Sequence, residues 1–291
     1  MKKFVGVLLI LFATTTAWAG EPIDERVEVD EDTTVLIENV HGQVQVTGWD
    51  RPEVHVTGEL GDGADRVVVS GEYGRVLVRV LMPRSGSSDE TELIVSAPAT
   101  SRLIVETVSA DIEISGMMAS QRLNTVGGDV TTHSAGEELE VKSATGDIVI
   151  TGAGVTSESR VTSVSGDVTV SGVTGEVNAK SVSGDVAIEG AGISQVRLTS
   201  TSGDLSLTAG VESDPSLVLE SISGNTILEV DGDMLGEFDV KTTSGEITSC
   251  FGPDPARDEF GAGQTLRFSD DEGESKVRVK TMSGDIDLCR S

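Results

Sequence analysis

The chain has 291 residues, a formal net charge of −28, 34 glycines and an aromatic content of only 3%. A surface this acidic repels nucleic acid and anionic lipid, which excludes partners of those kinds. Abundant Val, Ser, Thr and Gly with so few aromatics points to many short strands and tight turns, not to a thick globular core.

Residues 1–19 read as a signal peptide. Lys2 and Lys3 open it, Phe4 to Ala13 is an apolar run, and Ala17-Trp18-Ala19 is a small-x-small cleavage site. The run is too short to span a bilayer as a mature helix, and no later stretch is long and apolar enough to do so. Removing its two lysines takes the net charge to −30. The expected location is outside the cytoplasm: periplasmic, or cell surface/secreted.

Residues 20–291 read as a single β-solenoid domain. Over 20–100, short runs such as Val54-His55-Val56, Val67-Val68-Val69, Val76-Leu77-Val78 and Leu93-Ile94-Val95 alternate with turns such as Gly61-Asp62-Gly63. They are taken as irregular N-terminal coils and a cap. Trp49 there has two readings, packing over the first coil or stacking on a sugar.

Over 101–250 one phrase recurs: SVSGDVTV at 163–170, SVSGDVAI at 181–188, STSGDLSL at 200–207. With the acidic position as zero, the copies fall at 111, 129, 147, 167, 185, 204, 225, 246 and 285. Most intervals are 18 to 21 residues, and the last is 39. Position −6 is always apolar and −4 is always Ser or Thr, as in Ser143, Ser163, Ser181 and Ser200. Position +1 is almost always Val, Ile or Leu. This alternation means strands with one face buried and one wet. The Gly at −1, as in Gly146, Gly166, Gly184 and Gly203, supplies a sharp corner between them. A unit this small buries its apolar side only by stacking, so the expected fold is all-β, a single-stranded parallel β-helix with coils of about 18–21 residues. A row of buried hydroxyls at −4 requires hydrogen-bond partners.

Residues 251–275 are turn-rich and acidic, and read as a loop or flap packed through Phe251, Phe260 and Phe268, with the last coil at 276–291. Cys250 and Cys289 both stand at +4. If their coils are neighbours they stack within reach of a disulfide; with two full coils between them they do not. An even cysteine count in an oxidising compartment favours the bond. The last strand is expected to leave a sheet edge open for end-to-end self-association.

The acidic column has two readings. Its carboxylates cap corners by accepting backbone N–H bonds, or they form a cation ladder, with Asp147, Asp167, Asp185 and Asp204 as weak calcium candidates. No other cofactor and no catalytic residue is indicated. His41, His55 and His133 are scattered, and no H-E-x-x-H or G-x-S-x-G phrase occurs. The lysines at −5 (Lys142, Lys180, Lys241, Lys280) read as a solvated face or an anion-binding strip.

NVHGQVQVTGWD near the start, the SGDV/SGDI units and the closing VRVKTMSGDIDL resemble the bacterial "putative adhesin" domain-of-unknown-function family of β-strand-repeat proteins. The resemblance implies a β-helix exported to the envelope or surface, with no catalytic residues to carry over. The functional expectation is a non-enzymatic envelope protein, a structural or adhesin-like binding rod for glycans or surface proteins. A self-assembling scaffold, a calcium- or glycan-binding module and a polysaccharide-active enzyme are the alternatives.

Overall fold

The computed structural model describes residues 21–30, 32–83, 89–231, 234–257, 263–270 and 273–290. The signal peptide 1–19 and Phe260 lie outside the described residues. These contain 22 strands and no helix, joined in one mixed sheet.

Each regular coil supplies two strand segments that meet at the Gly corner. The first segments stack in one ladder and the second segments in another. Val141 pairs with Leu123 below and Val161 above, while Ile148 pairs with Val130 and Val168. Both pairings are parallel. Side chains at −6, among them Val105, Leu123, Val141, Val161 and Leu198, are fully buried, as are Ile148 and Val186 at +1. Stacking like residues on like explains why one contiguous core runs the length of the molecule.

Near both ends the stack departs from chain order. At the N-terminal end, strand Thr34–Trp49 lies between three others: it pairs in parallel with Arg102–Met117 on one side and with Arg75–Leu81 and Thr91–Pro98 on the other. At the C-terminal end, coil 275–290 inserts between coils 216–231 and 236–249. Leu219 pairs with Val279, which pairs with Val240, and Leu228 pairs with Leu288, which pairs with Ser249. In each case the coil nearer the terminus is second from the end of the stack.

Outside these coils the sheet turns antiparallel, which corrects the expectation of a wholly parallel helix. Arg66–Glu72 pairs antiparallel with Arg75–Leu81, Glu21–Glu28 with Glu53–Leu60, and Gln264–Ser269 with Gly236–Ser244. The physical reason is that a parallel stack ends in unpaired N–H and C=O groups, which a short returning strand can cover. Glu21–Glu28 also carries Pro22 and five charged side chains, features that discourage further pairing.

Two other expectations change with this order. The last strand, Ile286–Arg290, is flanked on both sides over Ile286–Leu288 and is not the edge of the stack, so the premise for end-to-end pairing through it fails. Residues 251–275 are only partly a loop, because they contribute the covering strand Gln264–Ser269. Phe251 and Phe268 stack on buried Phe238 with ring centroids 5.6 and 4.4 Å away.

Candidate functional site: corner ladders and an N-terminal cleft

The conspicuous acids form a ladder of hydrogen bonds. Oδ1 of each Asp carboxylate accepts the backbone N–H of the zero position in the next coil. Asp111 accepts from Asp129, Asp129 from Asp147, Asp147 from Asp167, Asp167 from Asp185 and Asp185 from Asp204, at 2.8–2.9 Å. The chain of bonds continues from Asp204 to Asn225, from Asn225 to Asp285, and from Asp285 to Glu246. It therefore follows the spatial order, including the inserted coil. The described residues hold no group of three or more His, Cys, Asp or Glu placed to hold a metal.

The corner glycines stack equally closely. Gly146, Gly166, Gly184 and Gly203 have φ between +117° and +141°. A Cβ on any of them would sit 2.2–2.3 Å from the carbonyl oxygen of the corner below. Left-handed backbone and lack of space both demand glycine.

The hydroxyl row at −4 is buried throughout, and its bonding is uneven. Ser143 donates to Thr145 O, Ser163 to Gly166 O and Thr242 to Gly284 O. Thr125, Ser181, Ser200 and Ser221 find no hydrogen-bond partner among the described residues. The row is thus only partly satisfied.

Cys250 and Cys289 face each other with sulfurs 3.5 Å apart, and Cys250 N–H donates to Leu288 O. Their coils are neighbours because coil 275–290 is inserted. The Cys250 thiol beside it, followed by burial, pushes the Cys289 thiol up from 9.0.

Two acids on the outer face are strongly paired. Glu140 bonds Lys142 and Arg122, which hold its carboxyl below 4.5. At Asp239, burial pushes the carboxyl up, but bonds from Lys280 at 2.9 Å and Arg267 at 2.7 Å outweigh it and leave it below 3.8. Lys142 and Lys280 are thereby committed to ion pairs.

A cleft of about 690 Å³ opens at the N-terminal cap. It lies where the end of Glu21–Glu28, the turn 50–52 and the hairpin turn Tyr73-Gly74 converge. Arg51, Arg75, Glu28, Glu53 and Tyr73 contribute its polar lining. Arg51 sits 4.9 Å over the Trp49 ring and 3.8 Å from Glu53. Trp49 also stacks on His55 and donates its indole N–H to Glu53 O at 2.9 Å. Its ring contacts and its one donor are thus taken up within the cap, which favours the packing reading of Trp49 over sugar stacking.

Tyr73 is the residue that sequence reasoning missed. It has φ +51° at the turn between two Val-rich strands, and its side chain is fully exposed. An Asn or Gly is the ordinary choice for that conformation. The signal was present as GEYGR between two strand-like runs, where a bulky residue replaces the usual turn former.

Comparison with known proteins places the chain in a family. The model of a family described as Toastrack DUF4097 matches residues 26–230 and 198–289. The chain belongs to the Toastrack DUF4097 family. No curated protein matches it. Among solved structures it is similar to a "putative adhesin" from Parabacteroides merdae, at 10% identity and TM-score 0.45, over 72% of this chain and 90% of that one. A "putative lipid binding protein" from Parabacteroides distasonis gives 11% identity and TM-score 0.36, over 94% and 97% of the two chains. A "putative cell adhesion protein" from Clostridium sporogenes gives 9% identity and TM-score 0.29, over 93% and 100%.

Proposed function

We propose that this Toastrack protein is an exported, non-enzymatic, adhesin-like binding rod of the cell envelope. In this reading it is a flattened single-stranded β-solenoid that takes an envelope glycan in its N-terminal cleft. Tyr73 carries the proposal. A bulky residue at φ +51° costs on the order of 1–3 kcal/mol, and such outliers gather at functional sites. Here the strained turn holds an aromatic ring in solvent at the mouth of a cleft lined by arginines and carboxylates. That combination suits a sugar, whose apolar face stacks on a ring while its hydroxyls bond planar charged groups.

The test is a binding screen against envelope glycans and peptidoglycan fragments. The Tyr73→Gly protein is expected to melt at a higher temperature, because glycine relieves the φ strain, and to lose glycan binding. Unchanged binding by that variant overturns the cleft as the site. Calcium is assigned no role in this reading, since each Asp of the corner ladder already commits Oδ1 to a neighbouring N–H. Millimolar calcium should leave the melting temperature unchanged.

The export half of the proposal rests on the signal-like residues 1–19. It predicts a Cys250–Cys289 disulfide in material recovered from outside the cytoplasm. Two free thiols by mass spectrometry in such material would sink it.

A further inference from the structure

The corner that bears the acid ladder bears a second column. At −3 stand Val108, Val126, Ala144, Val164, Val182, Thr201, Ile222, Met282 and Thr243, in spatial order. Six of these, Val108, Val126, Val164, Val182, Ile222 and Met282, are 44–58% exposed. They make up half of the twelve exposed large hydrophobic residues among those described. Scattered exposed apolar side chains need no explanation, but an aligned column does.

The fold does not require it. Thr201 and Thr243 occupy the same position, and the corners that follow them keep the same geometry, with Gly203 at φ +141° and Gly245 at +153°. Stacking alone leaves each of the six side chains about half in water. The column runs through nine coils, a ridge of roughly 40 Å at about 4.8 Å per coil.

The acid ladder runs parallel to this ridge, three residues along each coil. All its members are exposed. On the opposite flank the −5 row is mixed, and Lys142 and Lys280 are already paired with Glu140 and Asp239. The unbalanced charge beside the ridge is therefore negative.

We infer that this corner is a docking surface for a basic amphipathic polypeptide segment, laid lengthwise with apolar side chains on the Val/Ile/Met column and lysines or arginines against the Asp row. Charge complementarity decides the occupant. A second copy would bring acids against acids, and anionic polymers and lipids are repelled. The ridge is distinct from the N-terminal cleft and does not depend on it.

The chain contains its own controls. Asn225 already takes the place of Asp in the ladder, its Oδ1 accepting from Asp285 N at 3.0 Å. Asp167→Asn, Asp185→Asn and Asp204→Asn together therefore remove charge while retaining the hydrogen bonds. Thr at −3 is equally native to the corner, so Val126→Thr, Val164→Thr, Val182→Thr and Ile222→Thr together remove apolar surface from an intact fold.

The experiment measures fluorescence anisotropy of a labelled alternating Leu-Lys peptide at low and high salt. Wild type should bind it with affinity that falls as salt rises. The Asn set should weaken binding by about tenfold or more and flatten the salt dependence; the Thr set should weaken it similarly and keep the salt dependence. Tyr73→Gly should leave it unchanged, which separates failure of the ridge from failure of the cleft. No binding by wild type, equal binding of a Leu-Ser peptide, or indifference to the Thr set would overturn the inference.

Discussion

The middle of the molecule and its two ends obey different rules. Between residues 102 and 223 each coil lies on the one before it, and every ladder advances in chain order. At the ends, coils 34–49 and 275–290 are each enclosed by a segment from further inside the sequence. The middle is governed by like-on-like stacking, which only neighbours in the sequence need satisfy. The ends are governed by the cost of exposed strand edges, which no repeat of the same unit removes. The last parallel coils are therefore covered by antiparallel strands.

That contrast is open to experiment. Deleting 275–290 should have the largest effect, because the segment is a spacer with neighbours on both sides. Coil 236–249, its covering strand Gln264–Ser269 and the Phe238 cluster should lose protection together in hydrogen exchange, while coils 102–200 keep theirs. Uniform loss across the stack would show instead that ends and middle form one cooperative unit.

A smaller effect belongs to the middle. Gly184→Ala places a Cβ 2.3 Å from Gly166 O at φ +136°, and should cost about 2 kcal/mol or more in chemical denaturation. Alanine at Gly74, where nothing lies within 4 Å of a Cβ, should cost less, since only the φ of +72° opposes it.

The smallest effect is electrostatic. The Glu140 carboxyl is held below its ordinary 4.5 by Lys142 and Arg122. A depressed carboxyl contributes stability that is present above the unfolded value and lost as pH falls through the folded one. Glu140→Gln should therefore lower stability at neutral pH by less than about 1 kcal/mol, because its partners are half exposed, and should change little well below pH 4. Equal losses at both pH values would point to packing instead.

Much of the middle was legible because the repeat carries its own register. Val at −6, Ser at −4, Gly at −1 and Val at +1 each have a single structural duty, repeated until it is unmistakable. The interlocked ends were not legible. TMSGDIDL at 281–288 carries the same signature as TTSGEITS at 242–249, and nothing in either phrase says which lies nearer the middle. That order is set by which segment can cover an edge, a property of Gln264–Ser269 and not of the repeats. The acid column was legible as a column, but its bonding from coil to coil depends on the distance between corners. The exposed column at −3 is not legible from alternation, which marks the buried face and leaves the wet one unassigned.

The inserted coil also has a consequence in time. Synthesis delivers coil 236–249 before coil 275–290, yet the later segment lies beneath the earlier one. The earlier coil thus has no native parallel neighbour until the later one emerges, and must wait or dock wrongly on 216–231 in the meantime. Assembly of this end is a clasp and not a growing pile, and its slowest step should be the arrival of the segment that closes it.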